Sequence, residues 1–138
     1  MAFSPDELDD DALEFLSRPR ALASLATVRD GRRPHVATVG FTYDHPTRSV
    51  RVVTMPGSQK TRNVERGSRA LVNQIDGMIW LQLEGDARVV DDPGEVADAY
   101  ERFARRYGRV HEGESLVVIA VQVDLCRSPQ DRWGRRAP

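Results

Sequence analysis

Short runs rich in β-branched residues, separated by tight turns, constrain the fold of this chain more than any other feature. Six runs are predicted to be strands, at residues 21–28, 35–42, 49–54, 70–75, 78–90 and 116–125. Asp30-Gly31 and Asp76-Gly77 each join two of these runs, and an Asp-Gly pair favours the tight turn of a β-hairpin. Asp44-His45-Pro46 makes a third turn. These connections predict antiparallel pairing, and Gly85 within the longest run predicts a β-bulge.

Two or three helices are predicted beside the strands. Residues 4–7, Ser-Pro-Asp-Glu, form a capping box that predicts a helix continuing to about Ser17. A short helix is predicted at residues 61–66. A third follows the capping motif at residues 92–95 and ends at Gly108, because glycine commonly terminates a helix.

This order of elements predicts an antiparallel barrel with appended helices, in the mainly β (α+β) class. Strands and helices do not alternate along the chain, which argues against a doubly wound parallel sheet. Residues 1–138 are interpreted as a single domain, with flexible ends at 1–4 and 127–138. There is no Gly-rich dinucleotide fingerprint, so a Rossmann nicotinamide site is not predicted.

Composition excludes several function classes. The chain has no apolar run of membrane-spanning length, and its acidic N-terminal region carries no apolar signal core. We therefore expect no membrane partner and a cytoplasmic location, which a single cysteine, Cys126, also fits. No His and Cys cluster has metal-ligand spacing, so no metal is predicted. A net charge of −1 offers no broad basic surface for nucleic acid.

The only lysine of the chain is the first candidate functional residue. Nineteen of the twenty basic residues are arginine, and Lys60 lies in the segment 57–63, Gly-Ser-Gln-Lys-Thr-Arg-Asn. An ammonium group meets phosphate as a compact charge with three donors. Ser58, Thr61 and Asn63 can add neutral hydrogen bonds, and the backbone N–H groups of a helix start favour an anion. The alternative is an ordinary solvated loop lysine, and the local sequence favours neither reading.

His35 is the second candidate, because it opens a predicted strand. The residues at alternate positions of that strand, Ala37, Val39 and Phe41, share one face with His35. A polar residue at the mouth of an apolar face can touch a ligand, although a hydrogen-bonded surface histidine is the commoner case. His45 and His111 lie in predicted turns and loops and are interpreted as surface residues.

Trp80 raises the question of a partner subunit. It alternates with polar residues along its predicted strand, while Ile79, Leu81 and Leu83 form the other face. Both faces therefore look covered, which in so small a chain favours a second copy. The helix after Gly94 could cover one face instead, and the sequence leaves both possibilities open.

Four motifs together resemble a known family. They are Asp-Gly-x-x-Pro-His-Val at residues 30–36, Gly-Phe-Thr at 40–42, Gly-Ser-Gln-Lys-x-x-Asn at 57–63, and Asp-Gly-x-x-Trp-Leu-x-Leu-Glu-Gly at 76–85. In this order they are similar to the split-β-barrel flavin and deazaflavin oxidoreductases, which are relatives of pyridoxamine phosphate oxidase. Within that family they most resemble the branch that uses coenzyme F420, and its biliverdin-reducing group. The resemblance covers about residues 10–125.

The resemblance implies a homodimer of six-stranded antiparallel split β-barrels, with the cofactor in a groove at the subunit interface. Lys60 with Ser58 and Asn63 would hold the cofactor phosphate. The full implied set of cofactor-binding residues is His35, Ala37, Val53, Thr54, Ser58, Gln59, Lys60, Asn63, Gln74 and Trp80. Gln74 and Trp80 would reach the ring or the substrate from the partner subunit. Several relatives have arginine at position 58, so Arg51 or Arg62 could supply the missing charge here.

The implied reaction is hydride transfer from reduced F420 to a conjugated acceptor, such as a tetrapyrrole or a quinone-like molecule. Biliverdin, giving bilirubin, is the acceptor of the closest group, and walls such as Phe41 and Trp80 would face it. The cofactor carries the reactive atom, so no catalytic side chain is assigned. Two alternatives stay open: an FMN-binding oxidoreductase related to pyridoxamine phosphate oxidase, and a non-catalytic carrier of F420 or flavin.

Overall fold

A computed structural model shows one antiparallel sheet curled around a core, with three α-helices against it; it describes residues 2–110 and 114–129. Within these ranges the strands are β1 (Ala2–Phe3), β2 (Ala23–Val28), β3 (Pro34–Val39), β4 (Thr42–Asp44), β5 (Ser49–Thr54), β6 (Arg69–Asp76), β7 (Ile79–Val90) and β8 (Val117–Arg127). The helices are α1 (Asp10–Leu16), α2 (Gln59–Glu65) and α3 (Pro93–Tyr107). None of the helices in these ranges has the length and apolar character needed to cross a membrane.

The strands are hydrogen-bonded in the order β3-β2-β6-β7-β8-β5-β4, and β1 pairs with the end of β8. Every pair is antiparallel, as the hairpin turns predict. The Asp76-Gly77 turn is confirmed, because Gly77 has a φ of +61° between β6 and β7. The Asp30-Gly31 connection is longer than a two-residue turn, because residues 29–33 separate β2 from β3; Gly31 and Arg32 within it have positive φ values of +70° and +63°.

The two faces of the sheet have different cover. The inner face packs into the main core, which includes Phe15 and Leu16 from α1 and Val64 from α2. On part of the outer face, α3 packs Ala99 and Phe103 against β5, β7 and β8, forming a second apolar cluster. The helix after Gly94 therefore covers one end of the outer face, while the outer face of β3, β2 and β6 keeps exposed apolar side chains such as Val36 and Ile75.

Two predicted features of the strands are wrong. Eight strands, not six, are present in the described residues, because β1 and β4 are two and three residues long. Strands so short show no alternation in the sequence. The predicted strand 35–42 is also divided: β3 ends at Val39, and Gly40 and Phe41 separate it from β4. An ideal Cβ on Gly40 would lie 3.0 Å from Phe103 and Tyr107 of α3, so a side chain here would force these two rings to shift.

The first predicted helix is two separate elements. The capping box of Ser4 and Glu7 is confirmed, but it begins a 3-10 turn, Pro5–Glu7. Asp9 then accepts a hydrogen bond from the backbone N–H of Ala12 at 2.8 Å and caps a new helix, α1. The expected flexible start is not found at Ala2–Phe3, which pair with Arg127 and Cys126. The expected flexible end and His111 fall largely outside the described residues, at 130–138 and 111–113.

The predicted bulge in β7 is confirmed. The register against β8 shifts between Glu84 and Gly85. An ideal Cβ on Gly85 would lie 1.8 Å from the carbonyl oxygen of Gln122, so the backbone of β8 occupies the space a side chain would need. The bulge lets the 12-residue β7 bend around the core.

Candidate functional site

A groove of about 300 Å³ opens where β3 and β5 end beside α3. Its wall is formed by residues 38–40, residues 53–55, Lys60, Phe103 and Leu116. Hairpin strands and the short α2 helix place these residues together although they are distant in the sequence. Three of the predicted cofactor-binding residues, Val53, Thr54 and Lys60, thus share one cavity. Val53 and Phe103 give it an apolar side, and Lys60 gives it a positive charge.

Lys60 is half-buried and carries an unneutralised charge. No hydrogen bond or ion pair joins its ammonium group to any of the residues that the structure describes. Burial lowers the pKa of Lys60 from its ordinary value, because desolvation disfavours the charged form. A half-buried cation facing a cavity without a carboxylate partner is stabilised when an anion binds there. This environment favours the anion-binding interpretation of Lys60 over the solvated loop lysine.

His35 lies close to Lys60 at the same end of the barrel. Its Nδ1 atom is buried and has no hydrogen-bond partner among the described residues. Burial first, and then the positive charges of Arg29 and Lys60, lower the pKa of His35 from its ordinary value. The imidazole is therefore mainly neutral at pH 7. No carboxylate that the structure describes raises its pKa, so nothing there offsets the effect of the positive charges of Arg29 and Lys60.

Arg29 is a residue that the sequence reasoning missed. Its Nε atom is buried and lacks a hydrogen-bond partner in the described part of the chain. It immediately precedes the Asp30-Gly31 turn, and its backbone N–H donates to the carbonyl of Arg33 at 2.7 Å. The sequence signal was an arginine at the end of a strand that faces the predicted phosphate segment. Arg29, His35 and Lys60 together form a basic cluster at one end of the barrel.

The other polar residues of the lysine segment bind within the protein. Ser58 caps α2, accepting from the N–H of Thr61 at 3.3 Å. Asn63 is fully buried, donates to the hydroxyl of Thr27 at 3.0 Å and accepts from Gln59 at 2.7 Å. These hydrogen bonds fix α2 and the loop before it, so they place Lys60. The predicted direct contacts of Ser58, Gln59 and Asn63 with a phosphate remain predictions.

The structure does not bring Gln74 and Trp80 into this groove. Gln74 is 1% exposed, and its side chain donates to the carbonyl of Phe15 at 2.7 Å and accepts from Arg106 at 2.8 Å. It links three elements inside the protomer. Trp80 lies on the outer face of β7, opposite Ile75 on β6. Ala37 packs, partly buried, against the main core on the inner face that His35 shares.

Phe41 is not a wall of the groove, which corrects the expectation that it faces the acceptor. It is completely buried, and the guanidinium of Arg106 lies 4.7 Å from its ring centre. The backbone N–H of Phe41 donates to the hydroxyl of Tyr107 at 3.0 Å, and that hydroxyl donates to the carbonyl of Ala21 at 2.6 Å. The Gly-Phe-Thr motif therefore attaches α3 to the barrel.

The arginines proposed to supplement Lys60 are already engaged. Arg51 lies 3.4 Å from the carboxylate of Asp44, and Arg62 donates to Gln59 at 2.8 Å. Arg66 pairs with Asp30 at 3.1 Å. Arg62 and Arg66 stand exposed on or beside α2, where they add a positive field rather than a fixed contact.

The antiparallel sheet, curled around its core and flanked by α2 and α3, is a split β-barrel, the fold class that the motifs predict. A protein-family model described as pyridoxamine 5'-phosphate oxidase matches residues 8–128. The chain belongs to this family. It is 46% identical over 135 residues to the F420H2-dependent biliverdin reductase of Mycobacterium tuberculosis (strain CDC 1551 / Oshkosh), a match that covers 98% of each protein.

The fold of this chain is also similar to those of several solved structures. One is named F420 reductase: it is 26% identical, has a TM-score of 0.69, and the match covers 83% of this chain and 94% of that one. The HupZ protein of Group A Streptococcus has a TM-score of 0.74 over 93% of this chain and 98% of its own, at 16% identity. The second likeness concerns the fold alone. Together with the family match, they confirm the split barrel and the resemblance to the F420-using branch.

Proposed function

We propose that this protein is an F420-dependent reductase that transfers a hydride to a conjugated acceptor, with biliverdin as its substrate. One observation carries the placement of the site: Lys60 is a half-buried ammonium group without a partner among the described residues, in a groove of about 300 Å³. The similarity to the F420H2-dependent biliverdin reductase supports the cofactor and the acceptor.

The residues of the groove fit the cofactor in both charge and shape. Lys60 would hold its phosphate. Arg29 lies outside the groove lining and adds a positive charge near His35. His35 also lies outside the groove lining, but it is close enough to Lys60 for the lysine charge to lower its pKa. Val53 and Phe103 supply apolar surface against which a flat ring system can pack. When bound, reduced F420 supplies the hydride, and the protein supplies orientation and a dry surface.

The chain's own residues position the reactants rather than exchange electrons. Gly40 allows α3 to lie close to the barrel, which brings Phe103 to the groove wall. Asn63 and Thr27 hold α2, so the ammonium of Lys60 stays at the end of β5. Biliverdin reduction also consumes one proton. Since the pKa of His35 is lowered, its imidazole is mainly in the neutral form at pH 7, which is a poor acid, so solvent or an arginine near the groove would supply the proton.

We also propose that the protein functions as a homodimer. Five large apolar side chains on or beside the outer face of β2, β3 and β6 are 46–91% exposed: Leu22, Val28, Val36, Ile75 and Met78. Ala26 pairs with Val36 on one side and with Leu71 on the other, which makes a continuous apolar row. Exposed apolar patches of this kind mark protein interfaces, and this one adjoins Thr38 of the groove.

The function is tested by measuring binding and turnover separately. F420 binding is followed by deazaflavin fluorescence, with FMN as the matched cofactor control. Biliverdin is then added with reduced F420, and the loss of its long-wavelength absorbance and the formation of bilirubin are recorded. We expect F420 to bind more tightly than FMN and biliverdin to be consumed only with reduced F420. Tighter FMN binding would support the flavin alternative, and F420 binding without turnover would support a carrier.

The dimer is tested by light scattering at micromolar concentration. Val36→Glu places a charge in the apolar row and is expected to yield monomers with weakened F420 binding. Arg88→Glu changes an exposed residue on β7 outside the row and serves as the control. A wild-type protein that is monomeric while binding F420 tightly would exclude a groove shared between subunits.

A further inference from the structure

A second cavity, of about 350 Å³, lies on the other side of α3 from the groove. Leu13 and Leu16 of α1 form its apolar wall, and Tyr43 and His45 at the end of β4 form another. The third wall is α3, which contributes three arginines at positions 102, 105 and 106. Helix α3 sends Phe103 to the groove and these arginines to the cavity, so the two cavities share a helix but no lining residue.

The arginines leave positive charge in this cavity. No carboxylate lines it, although the chain has 21 acidic residues. Arg102 is neutralised, since it lies 3.1 Å from Asp98 and 3.7 Å from Asp44. Arg105 is exposed and is paired with no carboxylate of residues 2–110 and 114–129. Two of the three charges are therefore available to an incoming anion.

Arg106 is held in place by neutral groups alone. Its guanidinium donates to the carbonyls of Arg18 at 2.9 Å and Phe41 at 2.6 Å, and to the side chain of Gln74 at 2.8 Å. Burial lowers its pKa from the ordinary value. Three of its five N–H donors are used in these bonds, which leaves two. A part-buried guanidinium fixed by neutral acceptors is a preorganised anion donor, because its position is already set before a ligand arrives.

Tyr43 and His45 together give the cavity one neutral donor. The Tyr43 hydroxyl and the His45 Nδ1 atom are 3.2 Å apart. Burial raises the pKa of Tyr43 to about 12, so its hydroxyl stays protonated, and burial also lowers the pKa of His45. With the hydroxyl donating to Nδ1, the remaining ring proton of His45 sits on Nε2, where it is free to donate. The polar atoms of this cavity are thus mainly donors.

We propose that this cavity is a second ligand site, which binds a small apolar carboxylate. Arg105 and Arg106 receive the carboxylate, and Leu13 and Leu16 contact its apolar part. The size suits a ligand of one or two rings, because ligand cavities begin at about 300 Å³. The site is separate from the groove beside Lys60 and does not depend on the function proposed for that groove.

The probe for this site is 1-naphthoate, and the matched uncharged control is 1-naphthalenemethanol. Binding to the wild-type protein is measured by calorimetry, and amide resonances of the labelled protein locate it. We expect shifts at the end of α3, in α1 and around residues 42–45, and tighter binding of the acid than of the alcohol. Saturation with F420 is expected to leave this binding unchanged, as is Lys60→Ala.

Two variants test the assignment of residues. Arg105→Glu reverses an exposed charge at the cavity and is expected to weaken naphthoate binding about tenfold, whereas Arg88→Glu makes the same change elsewhere and should not. Ser17→Trp fills the cavity from an exposed position and should abolish binding while leaving F420 binding intact. Equal affinity for the alcohol, shifts confined to the Lys60 groove, or equal effects of the two charge reversals would overturn the proposal.

Discussion

The amide nitrogen of Asn63 donates a hydrogen bond to the hydroxyl of Thr27 at 3.0 Å, and both side chains are almost completely buried. This bond connects α2 to β2 across 36 residues of sequence. It gives the asparagine of the Lys-x-x-Asn motif a structural task, which is to hold the helix that carries Lys60. The same motif therefore combines one group exposed to the groove with one group enclosed in the core.

Asn63→Leu keeps the approximate size of the side chain and removes its hydrogen bonds. The hydroxyl of Thr27 and the amide of Gln59 lose a partner, so we expect the free energy of unfolding to fall by about 1–3 kcal/mol. Urea denaturation measures this loss. F420 affinity should fall as well, since Lys60 is no longer held in position. A variant with unchanged stability would show that the buried bond is not maintained in solution.

Lys60→Ala removes the unneutralised ammonium from the groove. A charge-assisted contact to phosphate contributes about 1.5–3 kcal/mol, so we expect F420 to bind about ten- to a hundredfold more weakly. Fluorescence titration measures the dissociation constant, and the denaturation midpoint should change little. Arg62→Gln is the control, because it removes a charge from the same helix without lining the groove. If the two variants bind F420 equally well, Lys60 does not anchor the phosphate.

Gln74→Leu separates a core role from a cofactor role. The leucine leaves the carbonyl of Phe15 and one donor of Arg106 unsatisfied, so stability should fall by about 1–3 kcal/mol. F420 affinity, measured on the folded variant below its unfolding temperature, should match that of the wild type. A large loss of affinity in a stable Gln74→Leu protein would instead place this residue at the cofactor, as the family resemblance implies.

Stability is expected to fall as the pH drops below about 6.5. The pKa values of His35 and His45 are both lowered in the folded state, by burial and by neighbouring positive charges. The unfolded chain therefore takes up protons in this window before the folded chain does, which favours unfolding. The loss should level off once the pH is below the folded pKa values. Urea midpoints at pH 7.5, 6.5 and 5.5 measure it.

The control for this prediction is a double variant, His35→Gln with His45→Gln. It should lose most of the pH dependence between 7.5 and 5.5, a range that lies above the titration of ordinary carboxylates. The same pH dependence in both proteins would assign it to other groups.

Much of the fold follows from local signals in the sequence. Asp-Gly pairs, capping residues and alternating apolar residues predicted the six longer strands, α2, α3 and the bulge at Gly85. Of the missed strands, β1 is formed by pairing with the distant β8, whereas β4 pairs with the next strand, β5, and their two or three residues show no period. The separate start of α1 at Asp9 was missed, because the capping box at Ser4 and Glu7 was interpreted as the start of that helix.

The candidate site was predicted only in part, because burial of a polar residue depends on its tertiary partner. Lys60 stood out by its rarity, whereas Val53 and Thr54 were named only through the family resemblance. The buried bonds of Asn63 and Gln74 are made with Thr27, Phe15 and Arg106, and no local pattern joins these residues. The family resemblance identified the motifs. In the structure, some residues of these motifs line the groove and others lie in the core.

Gly85 also limits how this protein can be redesigned. The carbonyl of Gln122 stands where any side chain at position 85 would begin, and both partners in that clash are backbone or Cβ atoms, which no change of rotamer relieves. A library that randomises the barrel should therefore retain glycine at this position while neighbouring outward-facing positions diversify. Residues that line the groove can be changed to accept new substrates. The curvature of the barrel, in contrast, depends on the bulge at Gly85.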